Sequence, residues 1–273
     1  MLSVSGRMPA SHFDAYTEPD WLCQKITAVG LFSKTQAAQI KDVVLENINV
    51  TGRAAGGLAG YIDSSFINKT SVSGVVKATG YARGGGLAAT ADSSEIRDSY
   101  SWVRVYGDLS GTPEGSYISG FIDQTYSSLI INCYSMGYVS SNVFRAAGFI
   151  GTVSGGSVIT SSYWDTQTSG QTTSAGGVGK TTAEMKTLST FVGWDFNNIW
   201  SLPSNSYPVF QSQSSPPGEV GSQIFFVSPP TLPNNSISDK RNYELKVSIV
   251  EDSLREVKYN WNGTNFTLYN NSL

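Results

Sequence analysis

The sequence predicts an all-β protein: a right-handed parallel β-solenoid of about five coils with an aromatic C-terminal cap, followed by a truncated antiparallel β-sandwich module. Three observations carry this expectation. A glycine-apolar anchor recurs at Gly30-Leu31-Phe32, Gly57-Leu58-Ala59, Gly86-Leu87-Ala88, Gly120-Phe121-Ile122 and Gly148-Phe149-Ile150, at spacings of 27, 29, 34 and 28 residues. An isoleucine follows each anchor glycine at the tenth or eleventh position, as Ile40, Ile67, Ile96, Ile130 and Ile159. Between these marks short apolar runs alternate with Gly, Ser, Asn and Asp, and no 3.6-residue period persists.

Residues 1–28 read as a partial or irregular N-terminal segment. The start, MLSVSGRMPASHFDAY, has no apolar stretch behind a basic end and does not read as a signal peptide. The chain stops at Leu273 inside a strand pattern, so both ends read as cuts in a longer product.

Residues 29–165 are the repeats. A unit this short cannot bury its apolar side alone, so neighbours must stack. Five coils at the ~4.8 Å strand spacing would span roughly 24 Å. The anchor glycines suit corners needing positive φ or a close approach of backbones. Tyr100, Tyr134 and Tyr163 each follow their isoleucine by four residues and are expected to stack inside the solenoid. The other arrangement these repeats allow is a set of small hairpin units or blades.

Residues 166–213 form the expected cap: a polar stretch, a capped helical turn at Thr182-Ala183-Glu184-Met185-Lys186, then Phe191, Trp194, Phe196, Ile199, Trp200 and Phe210. Such an aromatic block can close an open solenoid end and blunt its edge. SSPPGEVGS (214–222) reads as a linker. In residues 223–273, Leu245, Val247 and Ile249 alternate, and Asn262-Gly263 marks a two-residue hairpin. That length is about half of a complete immunoglobulin-like domain of ~100 residues.

Composition narrows the chemistry. Only 14% of residues are charged, the net charge is -3 and there is no basic run, which argues against nucleic acid as a partner. No apolar stretch approaches the ~20 residues of a membrane span. With one histidine, His12, a Ser-His-Asp or Cys-His mechanism has a single candidate base, and two-His or three-His zinc sites cannot be built. Cys23 and Cys133 form no CxxC and are compatible with two buried thiols or with a bridge. No cofactor is expected.

The units GGLAGYI…INKTSVSGVV and GFIGTVSGGSVITSSYWD resemble GLUG-motif repeats, and SSYWDTQTSGQTTSAGGVGKTTAEMKTLSTFVGWDFNNIW resembles the end of such arrays. Two copies depart from the pattern, with Ala89 where its neighbour has Gly60 and Ser119 before the anchor Gly120. The resemblance implies secreted or surface-attached, adhesin-like bacterial or archaeal proteins, with no catalytic residues to carry over. KVSIVEDSLREVKYNWNGTNFTLYNNSL is similar to immunoglobulin-like modules of archaeal surface proteins.

Four features invite a chemical reading. AGGVGKTT (175–182) matches part of a phosphate loop but lacks the buried strand before it and the long helix after it, so no nucleotide is expected. Asp63 and Asp92 sit six residues after their anchors and should stack about 5 Å apart, as Asx turns, calcium ligands or a carboxylate pair. Among the aromatic residues Tyr61, Tyr81, Trp102, Tyr106, Tyr117, Tyr126 and Tyr138, the set Trp102, Tyr106 and Tyr117 flanks the insertion Asp108–Gly115 and is the candidate ligand-binding group. Asn49, Asn68, Asn234, Asn262, Asn265 and Asn270 lie in glycosylation sequons. The expected function is a non-catalytic, extracellular or cell-surface structural and adhesion module whose partners are glycans or surface proteins. The alternative is a carbohydrate-binding or carbohydrate-processing solenoid, with Asp63, Asp92 and Arg83 as the groups to test.

Overall fold

The computed structural model describes residues 6–9, 16–17, 27–108, 117–141, 145–213, 223–226, 247–250, 256–261 and 264–270, with side chains placed for 28–79, 83–107, 117–140 and 145–213. The chain divides into two compact units, Met1–Gly218 and Glu219–Leu273. The boundary falls within the stretch that reads as a linker.

The first unit is a parallel β-solenoid. Strands Phe32–Gln36, Ala59–Asp63, Ala88–Asp92, Ile122–Tyr126 and Ile150–Ser154 lie side by side in chain order as five rungs, enclosing about four turns. A larger sheet forms the remaining sides, and strands Gln39–Gly56 and Phe66–Gly85 run continuously through its corners. The five isoleucines meet in register, Ile40↔Ile67↔Ile96↔Ile130↔Ile159. With Leu58, Leu87, Phe121 and Phe149 they fill the interior. The rings of Phe121 and Phe149 stack 4.8 Å apart at 11°.

Of the two roles the anchor glycines could play, close approach is the one observed. None of the five has positive φ. A methyl group on Gly30 would lie 2.6 Å from the Gly56 carbonyl oxygen, and one on Gly57 2.7 Å from that of Gly86. Two other corners are instead turned by left-handed residues other than glycine: Ala37, Ser64, Ser93 and Ser127 at one, Asp42, Lys69, Asp98, Asn132 and Ser161 at the next.

Such corners strand backbone groups that the strand ladders do not pair, and side chains of the adjacent coil satisfy them. At the first corner the Ala38, Ser65, Ser94 and Ser128 N–H groups donate to the Oγ of Ser65, Ser94, Ser128 and Ser157 at 3.0–3.1 Å. The hydroxyls of Ser65, Ser94 and Ser128 donate back to the carbonyls of Asp63, Asp92 and Tyr126. At the second corner Thr70 N–H donates to Ser99 Oγ and Cys133 N–H to Ser162 Oγ, both at 3.1 Å. Cys133 belongs to this column, its thiol donating to the Ile131 carbonyl at 3.2 Å. It is a free, buried thiol; Cys23 and His12 lie outside the described residues.

Beyond the last repeat the chain closes the solenoid with a further partial rung. Gly148 N–H donates to the Thr173 carbonyl, Ala175 N–H to that of Ile150, and Val178–Lys180 pairs in parallel with Tyr163–Asp165. Trp164 occupies the last inward position on this side, over Gly148. The AGGVGKTT stretch is therefore this closing rung and the helix start after it, where Thr181 and Glu184 form a reciprocal capping box on Thr182–Met185.

The aromatic block differs from its expected placement. Tyr100, Tyr134 and Tyr163 are in register, and the first two rings stack at 4.9 Å and 11°. They point out of the solenoid, however, because strand residues alternate faces and the adjacent positions 99, 101, 133 and 135 are the ones turned inward. Met185, Phe191, Trp194, Trp200, Tyr207 and Phe210 cover them as a second core along the flank. Tyr134 donates its hydroxyl to the Pro208 carbonyl and Tyr207 its own to Asp165 Oδ2 at 2.7 Å. The block thus covers a side of the coils, and the end is closed by the rung through Val178.

In the second unit Gln223–Phe226 pairs antiparallel with Val247–Val250, and Glu256–Trp261 with Thr264–Asn270. The Trp261↔Thr264 pairing leaves Asn262-Gly263 as the connecting dipeptide, as the sequence predicts.

Candidate functional site

Asp63 and Asp92 are in register on adjacent rungs, with Gln36 and Tyr126 continuing the row. Each carboxylate is already engaged. Asp63 pairs with Lys34 at 3.2 Å and accepts from the Ser64 hydroxyl; Asp92 accepts from Ser93 and, at 3.1 Å, from the Tyr61 hydroxyl. Burial, then the bond to Asp92, pushes the Tyr61 phenol up to about 12. Among the described residues no group of three or more His, Cys, Asp or Glu side chains is placed to hold a metal ion.

Trp102, Tyr106 and Tyr117 are all half-buried and do not form one strip. Trp102 packs against the flanking aromatic core. Tyr106 pairs in register with Lys77, bonds to Arg104 and lies near Tyr138; burial raises its phenol above the ordinary value. Tyr117 stands on a different strand, Tyr117–Ser119, where its register partner is Arg83. On its other side Arg145 lies with its guanidinium carbon 5.2 Å from the ring centroid and donates to the Tyr117 hydroxyl at 2.8 Å. Of the insertion Asp108–Gly115, all but Asp108 lies outside the described residues.

Arg83 reaches Asp123, a residue that sequence reasoning passed over. Asp123 is fully buried, its Oδ2 is 3.2 Å from Arg83 Nη1, and its Oδ1 has no hydrogen-bond partner. Gly151, on the next rung, leaves room for it: a methyl there would lie 2.5 Å from Asp123 Oδ1. Burial drives the Asp123 carboxyl well above the ordinary range, and Arg83 opposes that shift. The available signal was that Asp123 occupies the position held by Gly60 and Ala89 in earlier copies.

The two described sequons in the solenoid differ. Asn49 and Thr51 are exposed, whereas Asn68 donates to Asp98 and its Thr70 is fully buried. The side chains of Asn234, Asn262, Asn265 and Asn270 lie outside the described set, as does that of Tyr81. A cleft of about 560 Å³ at the closing rung is lined by Tyr163, Val178, Lys180, Glu184, Thr187 and Thr190. Several of its polar groups are occupied: Lys180 pairs with Glu184, and the hydroxyls of Thr187 and Thr190 donate to backbone carbonyls.

No family model matches the chain. A protein of Evansella cellulosilytica described as a Gly-rich membrane protein is 32% identical over 121 residues, which cover 42% of this chain and 14% of that protein. The chain therefore spans a small part of the length of the curated relative it matches. A solved IgA1 protease chain is 26% identical with a TM-score of 0.42, over 47% of this chain and 10% of that one. An overlap of that size assigns no activity. No helix among the described residues is long and apolar enough to cross a membrane.

Proposed function

We propose that this chain is a non-catalytic structural and adhesion module of a larger extracellular, cell-surface or secreted protein, built from GLUG-type repeats and followed by an immunoglobulin-like module. One observation carries the reading: the polar side chains at the corners are spent on joining coil to coil, through the serine columns, around a continuous apolar interior. That construction makes a stiff rod and leaves Asp63 and Asp92 in their own pairings, without a free acid and base. The similarity to a short part of a long protein described as a membrane protein accords with it.

The test of location is proteolysis of intact source cells. Loss of this chain to an impermeant protease, with a cytosolic marker spared, is expected; equal protection of both would overturn the extracellular assignment. The test of catalysis is release of reducing ends from polysaccharides. None is expected, and release abolished by Asp63→Asn or Asp92→Asn would make the chain an enzyme.

A further inference from the structure

We infer that Arg145 and Tyr117 form a binding site for the carboxylate of an acidic polysaccharide, a polyuronate, on the side of the solenoid that carries Arg83. The inference deepens the adhesion reading by naming a ligand class. It rests on three observations.

First, Arg145 is held in place before any ligand arrives. Its backbone is left-handed, with φ of 63°, a conformation uncommon for a side chain of this size. Its guanidinium lies over the Tyr117 ring and one Nη donates to the Tyr117 hydroxyl. Stacking of this kind removes much of the rotamer freedom that an exposed arginine otherwise loses on binding. Tyr117 is in register with Arg83 on the preceding coil, and Arg83 is tied to the buried Asp123.

Second, the groups left over are all donors. Arg145 is exposed, and among the described residues no carboxylate pairs with it. Its Nε and second Nη remain as a planar edge. The Tyr117 oxygen accepts from Arg145, so its own proton is available to donate. A planar guanidinium edge matches a planar carboxylate in two-bond geometry, and the hydroxyl adds a donor beside the bonded Nη.

Third, neither of the two register columns beside the pair carries an acid among its described residues. The column Thr51–Lys77–Tyr106–Ser140 and the column Ala54–Arg83–Tyr117 contain no carboxylate, and Arg104 bonds to Tyr106. The pair offers the ligand a single guanidinium, that of Arg145. Double-stranded DNA carries a charge every ~1.7 Å and calls for a denser basic surface. A polymer whose anions are separated by whole sugar rings is the better match.

The experiment measures binding of the purified full chain to immobilised polygalacturonate, with neutral dextran, a sulfated polysaccharide and duplex DNA as comparisons. Saturable, salt-sensitive binding is expected for polygalacturonate. Arg145→Gln should weaken it about tenfold, Arg145→Lys should not restore it, and Tyr117→Phe should weaken it by a smaller factor. Circular dichroism of each variant must match the parent, which separates lost binding from lost folding. Absence of binding, an unchanged affinity in Arg145→Gln, or tighter binding to the sulfated polymer or DNA would overturn the assignment. Because the readout uses purified protein, its failure is distinct from failure of the extracellular assignment.

Discussion

At the scale of the residue, the corners show how a polar side chain can serve as backbone. Ser162 accepts the otherwise unpaired N–H of Cys133, and the Cys133 thiol reproduces the serine pattern in its own coil. Ser162→Ala leaves a buried donor without a partner and should cost about 1–3 kcal/mol in urea unfolding. Cys133→Ser keeps the bond to the Ile131 carbonyl and completes the column, so it should change stability by no more than about 1.5 kcal/mol. Asp123 makes the opposite point, since its carboxyl is buried with half its acceptors unmet. Its folded-state pKa is raised, so the folded chain holds this proton more tightly than the unfolded one. The contribution is therefore fully present below the ordinary carboxylate range, near pH 4, and is lost as pH rises through the higher folded value. Asp123→Asn should flatten this part of the profile and raise the melting temperature at neutral pH. Melting scans at successive pH values check it; an unchanged slope would show that Arg83 already offsets the burial.

At the scale of the element, the chain after the repeats does two separate jobs. The rung through Val178 ends the solenoid, and the aromatic segment seals the outward tyrosines. A charged corner links them: Asp98, only 7% exposed, accepts from Asn68, Asn132 and the Trp200 indole. Trp200 is fully buried and meets Tyr100, Tyr134, Trp194 and Phe210. Trp200→Ala should lower stability by about 3–5 kcal/mol, and Trp200→Phe by less, read by chemical denaturation with far-ultraviolet dichroism. A loss no greater than that of an exposed substitution would mean the flank does not contribute to the folded core.

For the whole molecule, a stack of coils is only as continuous as its closest approaches. A methyl group on Gly86, in the central rung, would overlap the Ser101 side chain and the Gly120 carbonyl, and the carbonyl cannot retreat without opening the ladder. Gly86→Ala should therefore abolish the cooperative thermal transition. Gly156 has positive φ but open space around it, so Gly156→Ala should cost only about 1–2 kcal/mol. Melting curves of the pair distinguish steric continuity from backbone strain, and similar losses in both would contradict the close-approach account.

The sequence by itself determined the all-β class, the repeat, its register and the two-residue hairpin dipeptide. Spacing is one-dimensional information, and a stacked coil converts it directly into neighbours: residues 40, 67, 96, 130 and 159 meet because their intervals are single turns. It also placed Asp63 beside Asp92 for the same reason. Only the tertiary structure decided which way the tyrosines face, because the aromatic block that covers them follows the repeats in the chain and folds back along the coils. The candidate site was half legible. Tyr117 is one of the rings that flank the insertion, but Arg145 and Asp123 carry no periodic mark. What joins them is contact between successive rungs, where a side chain is held from above and below by residues about thirty positions away. Sequence order keeps those residues apart, and the geometry of the coil brings them together.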